Sequence, residues 1–433
     1  MSDRTIHPAR TLNGGVRPPG DKSLSHRAAM LAALGAGASR LENFATGADC
    51  HSTLACLAAL GVPVAASPEA IEITGMGLRG LKAPSAALDA GNPGSTLRML
   101  SGILAAQPFA SEIAGDASLA RRPMRRILDP LRAMGVAVSA ADGDRPPLRF
   151  EAVPQLRAIE YKLPVASAQV KSCILLAGLY AAGTTTVHEP VPTRDHTETL
   201  LRALGAPVVS RAGAHSLAGP VESLPPLGTF RVPGDPSSAA FFLCAAACFP
   251  ESELYVDEVS LNPTRSALLD VLARMGARPS VVSVEERAGE LVGSLHLVGP
   301  EQRLTGTTIA GAEAAALIDE VPILAVLATQ TRDGIVFDDV AELRVKESDR
   351  IAAIAENLRA MGAHCETSPT RLAVPGQQRL RGARLESHHD HRIAMAFAVA
   401  ALLAEGETQI ADPECASISF PAFYDELDRL AER

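Results

Sequence analysis

Hydrophobic positions along the chain follow a repeated pattern that predicts one kind of helix six times. Apolar stretches rich in Ala and Leu, with no polar face, come directly after turns built from Gly, Pro, Asp, Asn or Ser. A helix that is apolar on every side is expected in the interior of a protein. The six turns are anchored at Gly20, Gly91, Pro164, Gly234, Asp319 and Asp390.

A second series of helices, amphipathic rather than apolar, lies downstream of each turn. These helices close on Leu-x-x-[Leu/Met]-Gly-[Ala/Val], and Gly is the residue that most readily takes the left-handed conformation that ends a helix. A sixth copy, without the glycine, would end near residue 431. Short segments of strand-forming residues follow most of these helices. The closing glycines are Gly61, Gly135, Gly205, Gly276 and Gly362.

The two series keep the same phase, so the chain is interpreted as six repeats of about 70 residues. Alternating helices and strands predict an α/β or α+β fold, with sheets packed around helices. Six repeats divide most simply into three and three, and the proline-rich segment 221–235 is the expected domain boundary. A solenoid of six stacked repeats is the alternative, but the repeats are long for a solenoid and no polar capping repeat is visible.

Composition excludes several classes of protein. The 433 residues are 47% hydrophobic and 21% charged, as in ordinary globular proteins. The net charge of −9 argues against nucleic acid or an anionic membrane as a partner. No apolar run is long enough to span a bilayer, and the N-terminus is polar. Seven scattered cysteines without zinc-site spacing indicate reduced thiols, so we expect a cytoplasmic protein.

The turn–helix junctions are candidate anion sites, because a helix N-terminus exposes unpaired N–H groups and a partial positive charge. Lys22 and Arg27 at the first junction oppose the helix dipole, which is mildly costly unless an anion binds there. The fourth junction has no cation, and Asp235 or a serine is expected to cap its helix. Further polar residues at the other junctions are Asn92, Ser95, Arg98, Ser167, Gln169, Lys171, Asp319, Glu320, Asp390, His391 and Arg392.

Two segments carry carboxylates that suit acid–base chemistry. Asp319 lies in an apolar run, where desolvation would raise its pKa and favour a base, although a helix-capping Asp fits equally well. In RVKESDR (344–350), Lys346 and Arg350 are four residues apart and are expected to share a helix face. With Glu347 beside them they would form an anion cradle with an acid at its edge. The alternative is an exposed, charged helix start.

Two other charged segments have plainer interpretations. HHDHR (388–392) suggests a metal site, but adjacent residues do not share a helix face and no partner pair of His or Cys is in sight, so we expect no metal. At least two of the four arginines at 121, 122, 125 and 126 are expected on a solvated helix face. Gly15-x4-Gly20 resembles a phosphate loop, but Asp21 stands where Lys is needed, so we reject a nucleoside triphosphate site.

Seven motifs, in order along nearly the whole chain, resemble the signature set of the 5-enolpyruvylshikimate-3-phosphate (EPSP) synthases. The resemblance implies a two-domain enolpyruvyl transferase fold with three βαβαββ repeats in each domain. The first domain would be residues 21–232, and the second would be residues 1–20 plus 233–433, with the two closing on the ligands like a clamp. The motifs are GDKSLSHR (20–27), GNPGSTLR (91–98), RRPM (121–124), ASAQVKS (166–172), LIDEVP (317–322), RVKESDR (344–350) and DHRIAM (390–395).

The resemblance also implies a reaction. The enolpyruvyl group of phosphoenolpyruvate would pass to the 5-hydroxyl of shikimate 3-phosphate with release of phosphate, in the pathway to chorismate and the aromatic amino acids. The family works by addition and elimination, without a metal or an organic cofactor. Both substrates carry a phosphate and a carboxylate, so the site must supply many cations. We expect a monomer that has only these small molecules as partners.

Residue roles follow from the same resemblance. Asp319 would take the 5-hydroxyl proton, and Glu347 or Lys22 would protonate the methylene carbon. Shikimate 3-phosphate would be bound by Lys22, Ser23, Arg27, Ser167, Ala168 through its backbone, Gln169, Arg194, Asp319 and Lys346. Phosphoenolpyruvate would be bound by Lys22, Gly94, Arg122, Gln169, Arg350 and Arg392.

Gly94 bears on inhibition by glyphosate, for which the family is the target. In tolerant members an Ala at the matching position crowds the phosphonate of the inhibitor. Gly94 leaves that space open, so we expect this protein to be sensitive.

Two alternatives stand beside this interpretation. The UDP-N-acetylglucosamine enolpyruvyl transferases share the fold, but they begin with a Lys-Asn pair and usually carry a reactive Cys or Asp on a mobile loop. The corresponding segment here, GDASLARRPM (115–124), has no Cys. A non-catalytic binding protein on the same scaffold would be expected to lose its carboxylates, whereas Asp319 and Glu347 are both present.

Overall fold

The structure is a computed structural model that describes residues 3–433. Its contacts group the chain into two compact units, which we describe separately. The N-terminal unit is Gly20–Val232 with Glu286–Glu290, and the C-terminal unit is Pro233–Glu285, Leu291–Arg433 and the described residues up to Pro19. Gly20 and Glu286–Glu290, which the sequence-based division placed in the second domain, group here with the N-terminal unit.

Helices and strands alternate along the described chain, and three short 3-10 helices (Leu119–Arg121, Ala341–Val345 and Pro413–Ile418) join them. The α-helices are α1 (Lys22–Leu34), α2 (Ala48–Ala59), α3 (Gly94–Leu104), α4 (Arg125–Ala133), α5 (Ala168–Gly178), α6 (His196–Ala203), α7 (Pro236–Ala246), α8 (Ala267–Met275), α9 (Gly311–Ala316), α10 (Val321–Gln330), α11 (Arg350–Ala360), α12 (His391–Leu402) and α13 (Phe423–Leu430). The strands are β1 (Arg4–Ile6), β2 (Thr11–Val16), β3 (Ala36–Glu42), β4 (Val64–Ala66), β5 (Ala70–Met76), β6 (Leu88–Asp89), β7 (Ser111–Ala114), β8 (Val138–Ala141), β9 (Arg145–Phe150), β10 (Leu156–Arg157), β11 (Glu160–Lys162), β12 (Ala181–His188), β13 (Val208–Arg211), β14 (Ala214–Gly219), β15 (Thr229–Arg231), β16 (Glu253–Ser260), β17 (Ser280–Arg287), β18 (Glu290–Val298), β19 (Thr307–Ile309), β20 (Ile335–Phe337), β21 (Glu366–Thr367), β22 (Leu372–Val374), β23 (Arg384–Glu386), β24 (Thr408–Ala411) and β25 (Ala431–Glu432).

The strands form sheets that repeat one arrangement. In the N-terminal unit the orders are β15-β3-β5-β4, β6-β7-β9-β8 and β10-β12-β14-β13, and in the C-terminal unit they are β2-β16-β18-β17, β19-β20-β22-β21 and β23-β24-β1. In each order the first two strands are parallel. The second and third strands are antiparallel. The repeats expected from the sequence correspond to these sheets.

Apolar helices lie in the interior of each unit, as their pattern predicts. They are α1, α3 and α5 in the N-terminal unit and α7, α10 and α12 in the C-terminal unit, and every residue of α12 is buried. Each unit has its own hydrophobic core around these helices. The amphipathic helices end on glycines in the left-handed region, as expected: Gly61 (φ 85°), Gly135 (φ 91°), Gly205 (φ 78°), Gly276 (φ 104°) and Gly362 (φ 80°).

Side-chain caps fix where four of the buried helices begin. Asp21 accepts a hydrogen bond from the backbone N–H of Leu24 at the start of α1, and Ser167 accepts one from Val170 at the start of α5. Asp235 and Asp390 cap α7 and α12 in the same way, so the expected cap at the fourth junction is Asp235. Each cap satisfies an N–H group that would otherwise lack a partner in the first turn.

Residues 4–16 belong to sheets whose other strands come from much later in the chain. β1 pairs antiparallel with β24, and β2 pairs parallel with β16 and antiparallel with β25. The C-terminal unit therefore contains both ends of the described chain, the pairing that the family resemblance implies. Among residues 3–433 no helix is long and apolar enough to cross a bilayer.

His26 joins three helices in the interior of the N-terminal unit. Its Nδ1 lies 2.7 Å from Thr53 Oγ1 on α2, and that hydroxyl lies 2.7 Å from Thr96 Oγ1 on α3. The ring is fully buried, and burial lowers its pKa to about 3. The imidazole is therefore neutral in the folded protein throughout the physiological range.

This neutral histidine predicts that the folded state loses stability in mild acid. In the unfolded chain His26 binds a proton below about pH 6.5, whereas in the folded protein it does not, so lowering the pH favours unfolding. Between pH 6.5 and 5.0 this one group should cost about 2 kcal/mol of unfolding free energy. Urea unfolding of the protein and of His26→Gln at the two pH values measures the difference.

His51, which is exposed on α2, supplies the control. His51→Gln should retain the full loss of stability between the two pH values, while His26→Gln should show a smaller one. Equal losses in all three proteins would contradict the assignment.

Candidate active site

The first turn of α1 holds two of the predicted site residues. Lys22 Nζ lies 3.0 Å from Asp49 Oδ2 on α2, with the lysine side chain 20% exposed. Ser23 is half-buried, and its Oγ accepts a hydrogen bond of 2.6 Å from Arg27 Nη1. The sequence did not single out Asp49, because nothing in its local pattern relates it to a lysine 27 residues earlier.

Arg27 is buried and held on three sides. Its Nε donates to Thr197 Oγ1 at 2.8 Å, its Nη2 donates to Ser172 Oγ at 2.9 Å, and its Nη1 also donates to the carbonyl oxygen of Ser23. Burial lowers the pKa of Arg27 to about 10, against the opposing charge of Glu198. The guanidinium is thus fixed by neutral oxygens rather than by a contacting carboxylate, and it keeps its positive charge near neutral pH.

Gln169 lies at the start of α5, beside α3. Its Oε1 accepts a hydrogen bond of 2.6 Å from Arg98 Nη1, and its Nε2 donates to Ser95 Oγ at 2.8 Å. Ala168 is the first residue of α5, and Ser167 is its cap, so these two residues take positions at the helix N-terminus. The second and third junctions predicted from the sequence are therefore joined by side chains.

Arg122 is the half-buried member of the four arginines near residue 120. Its Nη2 donates to Asn92 Oδ1 at 3.1 Å, and Asn92 donates in turn to Asp116 Oδ2 at 2.8 Å. Burial raises the pKa of Asp116, but hydrogen bonds from the Leu119 backbone and from Asn92 outweigh it and lower the pKa overall. The other three are exposed, as expected for at least two of them: Arg121, Arg125 and Arg126.

Arg194 is half-buried in the loop between β12 and α6. The positive charge of Arg194 lowers the pKa of Arg27. Only burial and the charge of Glu198 have a larger influence on that pKa. Arg27 and Arg194, both predicted to bind shikimate 3-phosphate, are thus close enough for their positive charges to repel each other. A bound anion would reduce this repulsion.

In the C-terminal unit, three cations surround one carboxylate. Asp319 Oδ1 lies 3.2 Å from Arg350 Nη1, 3.5 Å from Lys346 Nζ and 3.7 Å from Arg392 Nε. Arg392 Nη1 also donates to the carbonyl oxygen of Asp319 at 3.3 Å. Asp319 lies just before α10, and Glu320 takes the cap position of that helix. Although the sequence around Asp319 is apolar, cations surround its carboxylate in the structure.

Arg350 is almost completely buried among three carboxylates. Besides Asp319, its Nη2 donates to Glu347 Oε2 at 2.7 Å, and its Nε donates to Asp390 Oδ2 at 2.8 Å. Burial alone would lower the pKa of Arg350, but Asp390, Glu347 and Asp319 together raise it. Burial likewise favours neutral Asp390, yet the charge of Arg350 lowers its pKa. Both groups are therefore charged at neutral pH.

The prediction that Lys346 and Arg350 share a helix face is wrong. The helix α11 begins at Arg350, because Asp349 caps it by accepting a hydrogen bond from the backbone N–H of Ala352. Lys346 lies before the cap, after the 3-10 helix Ala341–Val345. The two cations still reach the same carboxylate, so the cradle forms through a loop rather than through one turn of helix.

The fourth junction has a cation that the local sequence does not reveal. Arg265 Nη2 donates to Asp235 Oδ1 at 3.1 Å and to Ser237 Oγ at 2.9 Å. Ser237 in turn donates to Glu320, so α7 is joined to α10 in the same unit. The arginine comes 30 residues after the turn, and no spacing rule could have found it.

HHDHR contributes to the site without forming a metal cluster. His388 lies 3.3 Å from Glu356, and His389 Nδ1 lies 2.5 Å from Asp412. Asp390 and Arg392 instead take part in the carboxylate and cation group described above. Across residues 3–433 there is no group of three or more His, Cys, Asp or Glu residues placed to hold a metal ion.

Each unit thus gathers cations and polar groups at the first turns of its buried helices. Buried or half-buried Arg and Lys side chains suit phosphate and carboxylate groups of a ligand. Asp319 and Glu347 are carboxylates among these cations and have the chemistry of proton acceptors and donors. Such a set of groups can bind anionic substrates and move a proton.

Comparisons with known proteins agree over nearly the whole chain. A sequence model of EPSP synthase (3-phosphoshikimate 1-carboxyvinyltransferase) matches residues 6–427. The 3-phosphoshikimate 1-carboxyvinyltransferase of Koribacter versatilis is 53% identical over all of both chains. That of Solibacter usitatus is 50% identical over 99% of this chain and 100% of its own.

A solved structure confirms the expected α/β enolpyruvyl transferase fold. The EPSP synthase from Acinetobacter baumannii superposes with a TM-score of 0.89 at 40% sequence identity, covering 99% of this chain and 98% of that one. Sequence and fold therefore point the same way, and the chain belongs to the EPSP synthase family.

Proposed function

We propose that this transferase moves the enolpyruvyl group of phosphoenolpyruvate to the 5-hydroxyl of shikimate 3-phosphate and releases phosphate. The observation that carries the proposal is that Lys346, Arg350 and Arg392 surround the carboxylate of Asp319. A base surrounded by cations suits two anionic substrates, one of which supplies the reacting hydroxyl group and the other the enolpyruvyl group. Membership of the family supports the same reaction.

In the N-terminal unit, most of the proposed contacts are with shikimate 3-phosphate. Ser23, Arg27 and Arg194 would bind its anionic groups, and Ser167 with the backbone of Ala168 would add the unpaired N–H groups of α5. The contact between Gln169 and Arg98 supports a fixed orientation for the Gln169 amide, which would lie against both substrates. Lys22, Gly94 and Arg122 would face the phosphate of phosphoenolpyruvate.

In the C-terminal unit, Arg350 and Arg392 would bind the carboxylate of phosphoenolpyruvate, and Lys346 would contact shikimate 3-phosphate. A guanidinium pair suits a planar carboxylate, which can accept two parallel hydrogen bonds. Arg350 now contacts Glu347, so an incoming carboxylate would compete with that side chain. Such competition would release Glu347 for proton transfer.

The proposed chemistry has two steps. In the addition, Asp319 takes the 5-hydroxyl proton while the oxygen forms a bond to C2 of phosphoenolpyruvate, and Glu347 or Lys22 delivers a proton to the methylene carbon. In the elimination, the group that protonated the methylene carbon takes a proton back from the new methyl group as the C2–O bond to phosphate breaks, and the proton held by Asp319 leaves with the phosphate. The products are enolpyruvylshikimate 3-phosphate and phosphate, and no oxidant or reductant is needed.

We propose a monomer as the active form, because the two-domain clamp that the family resemblance implies can work within one chain. The proposed steps use neither a metal nor an organic cofactor. We propose a cytoplasmic location on the same grounds as in the sequence analysis, and the seven cysteines, all within the described residues, form no disulfide. The UDP-N-acetylglucosamine reaction is not favoured, because the matching family and relatives carry the name of the shikimate enzyme.

Substrate choice is the first test. The purified protein should release phosphate from phosphoenolpyruvate when shikimate 3-phosphate is supplied and release none with UDP-N-acetylglucosamine. A phosphate assay with both acceptors in separate reactions measures this. Release with the sugar nucleotide alone, or with neither acceptor, would overturn the proposal.

Replacing the proposed base should slow the reaction. Asp319→Asn keeps the size of the side chain but removes its capacity to accept a proton, so kcat should fall by about 10²-fold or more. Asp338, a half-buried residue that pairs with Arg371, provides a matched control in the same unit. Asp338→Asn should leave kcat unchanged, and an Asp319→Asn enzyme with the parent kcat would contradict the role.

Gly94 has little spare room on one side. A methyl group built at this position would lie 2.8 Å from Arg98 Nη1, the guanidinium that contacts Gln169. The tip of an arginine can shift, so Gly94→Ala is expected to fold. The methyl would nevertheless project into the space beside that guanidinium.

The protein should be sensitive to glyphosate, and Gly94→Ala should reduce that sensitivity. The inhibitor carries a phosphonate that the added methyl would crowd, so its inhibition constant should rise by about tenfold or more, equivalent to at least 1.4 kcal/mol. Inhibition curves at fixed phosphoenolpyruvate for both proteins measure the shift. A curve for the parent protein that is flat into the millimolar range would rule out sensitivity.

A further inference from the structure

A cluster of charged side chains is buried in the N-terminal unit, apart from the residues assigned to the substrates. We call Lys171, Glu189, Glu198 and His215 the Lys171 cluster. Lys171 Nζ lies 3.0 Å from Glu189 Oε2 and 2.8 Å from Glu198 Oε1, and both the lysine and Glu198 are 0% exposed. His215 Nε2 lies 2.9 Å from Glu189 Oε1. Charges buried this deeply persist only when they are paired.

Glu189 is the member that connects the cluster to the site. It directly follows β12, at the start of the loop 189–195 that leads to α6. Its Oε2 accepts hydrogen bonds from the backbone N–H of Thr193 at 3.2 Å and from Thr193 Oγ1 at 2.6 Å. Lys171 Nζ donates to the carbonyl oxygen of the same threonine at 3.4 Å. Both backbone polar groups of Thr193 are therefore held by the cluster.

The next residue in the loop is Arg194. Since the cluster fixes the peptide groups on either side of the Thr193 Cα, it sets where the Arg194 backbone starts. On the other side, the backbone carbonyl of Asp195 accepts the hydrogen bond from Thr199 N–H in the first turn of α6. Arg194 is thus carried by a short loop that is anchored at both ends.

The charge on Glu189 is stable in this setting. Burial would raise its pKa, but His215, Lys171 and Thr193 outweigh burial and lower the pKa to about 2. The carboxylate therefore keeps its acceptor capacity at every pH at which the protein would be assayed. A neutral amide at this position has one acceptor oxygen instead of two and could not serve all of these donors.

We propose that Glu189, supported by Lys171, is a positioning residue that holds Arg194 in place for the phosphate of shikimate 3-phosphate. This inference rests on the proposed function, in which Arg194 binds that substrate. Glu189 itself does not touch the substrate in this proposal. Its effect is therefore confined to one substrate and passes through one side chain.

Glu189→Gln is the test, because it keeps the shape of the side chain and removes the charge. KM for shikimate 3-phosphate should rise about tenfold, as expected for the loss of one charge-assisted contact. The values of kcat and of KM for phosphoenolpyruvate should stay within about twofold of the parent. Initial rates over a matrix of both substrate concentrations give all three constants.

The matched control is Glu160→Gln. Glu160 also pairs with a histidine of the N-terminal unit, His188 at 2.8 Å, but its side chain is 76% exposed. All three kinetic constants of this variant should equal those of the parent. Circular dichroism of each variant confirms that it is folded before the constants are compared.

A double-mutant cycle separates positioning from a general loss of structure. If Glu189 acts through Arg194, Glu189→Gln should raise KM for shikimate 3-phosphate in the parent but add nothing in an Arg194→Ala background. Independent, multiplying losses would overturn the inference, as would an unchanged KM in Glu189→Gln. An unchanged KM in Arg194→Ala would remove the proposed role of Arg194, and with it the positioning role of Glu189. The parent enzyme must turn over shikimate 3-phosphate in the same assay, so a failure of the reaction itself is seen separately.

Discussion

Helices that are apolar on every side impose the main constraint on this molecule. Such a helix has no face for water, so each must be enclosed, and every unit encloses three of them within three sheets. Most of their polar side chains therefore lie near the helix N-termini. The first turns hold them here, where unpaired N–H groups and the helix dipole already favour anions. The location of the candidate site thus follows from how the interior is built.

The two units hold their buried arginines in different ways. Arg27 contacts hydroxyl and carbonyl oxygens, so its charge is fixed in place but not cancelled by a contacting carboxylate. Arg350 contacts three carboxylates, and an anion that binds it would compete with them. The first arrangement favours strong binding of an anion from the start. The second couples binding to the release of an acidic side chain, which suits a step in which a proton moves.

Local features were predictable, and features that depend on distant residues were not. The buried helices and the closing glycines follow from periodicity and backbone preference within a dozen residues. The four-residue spacing of Lys346 and Arg350 predicts one helix face, but Asp349 caps the helix between them, and an Asp before an apolar run is a known cap signal. The carboxylate partners of Lys171 lie 18 and 27 residues later and share no spacing rule. Arg265 and Asp49 are similar cases, since only the folded chain brings them to their partners.

The pairing of the first strands has a consequence for synthesis on the ribosome. β1 and β2 are made before their partners β16, β24 and β25, which come from the second half of the described chain. Gly20–Val232, most of the N-terminal unit, emerges before any of these partners, whereas the leading strands wait with unpaired edges until the partners have been made. Unpaired edges invite pairing with other nascent chains. β1 is only three residues long and β2 contains two adjacent glycines, so both are poor templates for such pairing during the wait.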